Sequence, residues 1–198
     1  AGAWAAFYRP NLEAFPNWLT HASLAALLSL LGPLAAEKVF LTACLLAFVV
    51  SFRFALAALR PEAADGFLLV LPFLFDAALH LGYYNRVFAA VPLLLALGLW
   101  SGRRGRLGAS GTAAMSALLL GLYFCAAAGL LVGLIGLAAL LLGVTWDERG
   151  APDRLRGLRQ RLLSLGAASF LPLLLLARFQ ARQGGGIAGR GADALVRL

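Results

Sequence analysis

Six polar side chains fall within eleven positions of an otherwise apolar stretch: Asp76, His80, Tyr83, Tyr84, Asn85 and Arg86. On a helix that continues through Gly82, Asp76, His80 and Tyr84 stand at successive i,i+4 positions and share one face. A carboxylate beside an imidazole fixes its tautomer and raises its pKa, which suits a proton relay or an acid–base pair. The same spacing also describes two polar groups that only satisfy each other. Arg86 carries the planar charge that suits a phosphate, and it is equally placed to pair with Asp76 or to stand as an interfacial arginine. Tyr83 and Tyr84 offer apolar faces with polar tips, and Asn85 offers both a donor and an acceptor. Ionisable groups at membrane depth cost roughly a few kcal/mol each, so they mark the place to look for a substrate. Together the six form the candidate substrate-binding set.

The elements that must position this cluster are two apolar spans, about 67–81 and 84–100, inside a chain of 198 residues that is 62% hydrophobic and only 13% charged. With a mean hydropathy of +0.85, this composition lies far from that of a soluble domain and predicts a polytopic membrane protein. The expected fold is an all-α transmembrane bundle of about six to seven membrane helices, some of them short, broken or re-entrant. The chain carries 17 Lys+Arg against 9 Asp+Glu, but the arginines cluster between apolar runs, as in membrane loops. No phosphate-tracking face for nucleic acid results. A membrane location is expected, with the lipid bilayer as the first partner.

Taken in order, residues 1–16 read as an interfacial segment with Trp4, Phe7 and Tyr8, residues 17–177 as the bundle, and 178–198 as an exposed tail. The chain is read as a single membrane-embedded domain, and its opening at Ala1 without a Met suggests an internal piece of a longer protein. Residues 18–32 are too short for a full crossing, whereas Pro33 starts a helix that runs to Leu59. The apolar run 110–145 is too long for one crossing and predicts two helices meeting near Ala126–Gly129. A last span is expected at about 162–177, bent near Pro172. Trp100 before Arg103, Arg104 and Arg106, and Trp146 before Arg149, Arg154, Arg156, Arg159 and Arg161, read as two boundaries on one side, the cytoplasmic one. Gly129 and Gly133 supply a small-xxx-small spacing, read as tight packing within the chain.

Other chemistry is bland. Cys44 and Cys125 sit in apolar runs without CxxC spacing and read as small hydrophobes, and His21 reads as an interface residue. Phosphate-binding glycine loops, HExxH and GxSxG are missing, so neither a metal nor a cofactor is implied.

The segments PNWLTHASLAALLSLLGPLAAEKVF and LPFLFDAALHLGYYN resemble a group of large bacterial membrane proteins similar to the C-type integral-membrane glycosyltransferases. The resemblance covers about residues 10–100 and rests on a Pro-Asn-led helix, an Ala-Glu-Lys helix start and a His-x-Gly-aromatic-x-Asn stretch. It implies sugar transfer from a polyprenyl-phosphate carrier on the extracytoplasmic side, with the catalytic acidic residue in a loop upstream of Ala1. Counting spans back from cytoplasmic arginine loops puts residues 1–16 inside, whereas the resemblance puts them outside. One segment therefore does not cross, and 67–81 is the expected re-entrant or broken one. A transporter with a broken-helix site at 67–86 and a non-catalytic membrane scaffold are the alternatives.

Overall fold

A computed structural model describes the backbone of residues 14–73 and 77–195, and the side chains of residues 14–72 and 79–183. Seven α-helices are present among these residues, in the order α1 (Leu19–Leu28), α2 (Pro33–Leu59), α3 (Ala77–His80), α4 (Tyr84–Gly102), α5 (Ala109–Cys125), α6 (Ala127–Asp147) and α7 (Arg154–Leu195). A 3-10 segment, Pro61–Phe73, lies between α2 and α3. Four of the helices, α2, α4, α6 and α7 as far as Gln183, are long and apolar enough to cross a membrane. The chain is an all-α bundle of membrane-protein character.

Helix starts and stops follow from local chemistry. Pro33 sits in the first turn of α2, where its missing N–H costs nothing. The long apolar run splits at Ala126, whose extended backbone (φ −163°, ψ 127°) ends α5 and starts α6. The expected pair of helices is there. Pro61, Gly66 and Pro72 punctuate the stretch after α2, and it winds as the tighter 3-10 form. The helix that would have stacked Asp76, His80 and Tyr84 stops at His80, because Gly82 turns the chain through a left-handed conformation (φ 76°). Tyr84 belongs to a new helix. Asp76 itself lies outside the described residues.

Packing sets the direction of each helix. The Tyr84 hydroxyl donates to Glu37 Oε1 at 2.9 Å at the start of both α4 and α2. Gly98 lies against Phe54 and Ala55, and Gly102 against Ala58, so these two helices run parallel. A Cβ on Gly98 would stand 2.6 Å from the Phe54 ring, which is why the helices close up only around glycine. Gly129, Gly133 and Gly136 of α6 meet Ala89, Leu93 and Leu97 of α4 in the same sense. The small-residue spacing is spent on packing inside the chain, as expected. The core beneath holds Met115, Leu119, Leu122, Tyr123, Leu130 and Leu137, all fully buried.

The bundle therefore has two ends. One gathers the starts of α1, α2, α4 and α6 and the close of α5, where Tyr123 places its hydroxyl 3.1 Å from the Ala14 carbonyl and 3.3 Å from that of Leu175. The other is the arginine-rich end. There the guanidinium of Arg161, 1% exposed, makes two hydrogen bonds to Glu148 at 2.7 and 2.8 Å and donates from Nε to the Arg104 carbonyl at 2.9 Å. Arg106 reaches Glu148 at 3.6 Å. The loops after α4 and α6 meet directly.

Several expectations change. Helix α1 is too short for a full crossing: its ten residues span about 15 Å, and both its ends lie near the starts of α2 and α4. The 3-10 segment after α2 packs beside that helix, with Arg53 stacked on Phe67 at 5.4 Å. The described residues of the stretch after α2 are broken into that segment and the short α3, as expected. Trp100 is not a boundary anchor; it is completely buried under the turn at Gly105, whose φ of 70° lets the backbone lie on the ring. Trp146 is 68% exposed and carries Arg149 at 4.8 Å, as a boundary residue does. The last span begins at Arg154 rather than near 162, and its helix continues into the expected tail as far as Leu195.

Candidate functional site

The polar cluster splits when it folds. Tyr83, Tyr84, Asn85 and Arg86 line a cavity of about 920 Å³, joined by Asn17, Thr20 and His21 from the other side. His80 closes α3, is exposed, and is not part of this wall. Tyr84 does not share a helix face with His80, because Gly82 ends that face and Glu37 takes the Tyr84 hydroxyl; the expected pairing of Asp76 with His80 lies outside the described residues.

Three helix starts converge on the cavity. Asn17 to Leu24 come from α1 and the residues before it, Tyr83 to Leu93 from α4, and Ala126 to Val132 from α6. Each of these helices lacks a side-chain cap at its first turn. First-turn amides have no intrahelical acceptor, and the helix dipole puts partial positive charge at this end, so the geometry favours negative charge in the cavity.

Two of the lining residues carry buried oxygens without partners. Asn85 Nδ2 donates to the Asn17 carbonyl at 3.2 Å, which fixes the start of α1 against α4. Asn85 Oδ1 is buried with no hydrogen-bond partner, and so is the Oγ1 of Thr20, a residue only 3% exposed. Buried polar atoms are ordinarily satisfied, at a cost of about 1–3 kcal/mol when they are not. Both atoms are covered by the packing of the helix starts behind the wall. Arg86 is exposed and has no carboxylate partner among the described residues.

The wall changes character along the helices. Leu24, Ala89, Ala90, Leu93 and Val132, one or two turns in from the helix starts, are apolar. A charged mouth above an apolar wall fits an amphiphile better than a small polar solute. Among the described lining residues there is no carboxylate, and those residues are suited to binding and orienting.

Comparison with family models, curated proteins and solved structures finds no match. The cavity has to be read from its own chemistry.

Asn17 and Thr20 escape the sequence reading, and His21 reads there only as an interface residue, because all three are more than sixty positions from Tyr83. Their signal was local: polar residues at i, i+3 and i+4 give a polar stripe on an otherwise apolar helix. Glu37, taken only as part of a helix start, is what holds Tyr84 in place. Cys44 and Cys125 are free and buried in the packing, in keeping with their reading as hydrophobes.

Proposed function

We propose that this membrane protein binds a phosphate-bearing amphiphile of the polyprenyl-phosphate-sugar class, and that it serves a glycosyltransferase-like reaction at the extracytoplasmic face of a bacterial inner membrane. The observation that carries the reading is the cavity in which Arg86, without a carboxylate partner among the described residues, and three uncapped helix starts stand above an apolar wall. Arg86 and the helix starts suit the phosphate. Tyr83 and His21 suit the edge and hydroxyls of a sugar, and the wall from Ala89 to Leu93 suits the first isoprene units.

The described lining residues include no carboxylate of the kind sugar transfer needs, and carrier binding is the role proposed for them. A transporter reading would put substrate on the broken stretch, of which no described residue between 61 and 81 lines the cavity. The arginine-rich end lies opposite the cavity, which suits an extracytoplasmic site if those loops are cytoplasmic.

The test is binding of a polyprenyl-phosphate sugar to the full-length protein in nanodiscs. Arg86→Gln and Asn85→Ala should each weaken binding about tenfold or more, about 1.4 kcal/mol, with thermal melting near wild type. Unchanged affinity in both variants would overturn the reading.

A further inference from the structure

We propose that a second cleft, at the arginine-rich end between the start of α5 and the first turns of α7, holds the headgroup of an anionic phospholipid from the surrounding bilayer. The cleft measures about 660 Å³, and its wall includes Thr112, Arg156, Arg159, Gln160, Leu163 and Ala167. On α7, residues 156, 160, 163 and 167 follow i, i+4, i+7 and i+11 spacing and share a face. Charge therefore comes first along the helix and apolar side chains follow, the order of a headgroup and its acyl chains.

The charge of this cleft is not neutralised within the protein. Glu148, the carboxylate engaged at this end, is taken by Arg161 at 2.7 Å and Arg106 at 3.6 Å. Arg156 and Arg159 have no carboxylate partner among the described residues. Helix α5 opens at Gly108 without a side-chain cap, and Ala109 of its first turn joins the wall, so first-turn amides add to the attraction for an anion. Leu163, 63% exposed, and Leu162 beside it give the acyl chains an outward apolar path. Basic pockets between membrane helices bind anionic headgroups in this way. A free anion would use the arginines and leave the leucines idle.

The full chain, purified in detergent, would be offered equal amounts of phosphatidylglycerol and phosphatidylcholine and examined by native mass spectrometry. Phosphatidylglycerol adducts should dominate, and Arg156→Gln with Arg159→Gln should reduce them about tenfold. Arg149→Gln with Arg154→Gln removes the same charge outside the cleft and should leave them within about twofold of wild type. An excess of inorganic phosphate should not displace the lipid. Equal binding of both lipids, equal loss in the two double variants, or displacement by phosphate would each overturn the proposal. Arg159→Gln alone, with its melting temperature measured, keeps the test decisive should the double variant fail to fold.

Discussion

Tyr84 and Glu37 are joined by a hydrogen bond of 2.9 Å between the first turns of two parallel helices, and this bond sets the height of the cavity mouth. The Tyr84 ring also lies 6.2 Å from that of Phe40, a tilted contact one turn along α2 from Glu37. Tyr84→Phe keeps the ring contact and removes only the hydroxyl, leaving a part-buried Glu37 oxygen without its donor. The variant should lose roughly 1 kcal/mol of stability, read as a lower melting temperature in detergent. An unchanged melting temperature would mean that the bond does not hold α4 in place.

The two ends of the bundle should face opposite sides of the membrane. In a background lacking Cys44 and Cys125, single cysteines at Gly108 and Ala151 should be protected from an impermeant thiol reagent applied outside the cell. A cysteine at Leu81, exposed just before the turn into α4, should react. Labelling of all three positions from one side would contradict the antiparallel order of α4 and α5.

The Glu148–Arg161 pair predicts an acid-sensitive fold. The double hydrogen bond from Arg161, with the nearby charges of Arg106 and Arg104 adding to it, holds the Glu148 carboxyl below its ordinary value of 4.5. A depressed folded-state pKa contributes stability that is fully present above that ordinary value and is lost as the pH falls through the lower, folded-state value. The melting temperature of the wild type should therefore fall on acidification below pH 4.5, and that of Glu148→Gln should start lower and fall less steeply. Parallel curves for the two proteins would show that the pair does not couple folding to pH.

The elements were largely legible in the sequence, and their neighbours were not. Pro33 and the excessive length of the 110–145 run foretold a helix start and a break, since each is a local property. The adjacency of Tyr83, Tyr84, Asn85 and Arg86 made part of the cavity visible for the same reason. The rest comes largely from α1 and α6, and no local pattern says which helix starts meet. The spacing of Asp76, His80 and Tyr84 predicts a stack on a helix continuing through Gly82, whereas the left-handed backbone of Gly82 separates His80 from Tyr84. Trp100 and Arg161 have the residue types of a membrane boundary, but burial depends on what folds over them: Gly105 covers the first, and Glu148 with the Arg104 carbonyl encloses the second.

The most direct measurement is photo-crosslinking of the full-length protein in membranes with a polyprenyl phosphate that carries a diazirine in its first isoprene unit. The label should fall on peptides spanning 17–24, 82–93 and 126–132, compete with unlabelled carrier, and decline in Arg86→Gln. Label spread over the outward face of α2, at Leu46 and Val50, or label that unlabelled carrier does not reduce, would contradict a carrier site in the cavity.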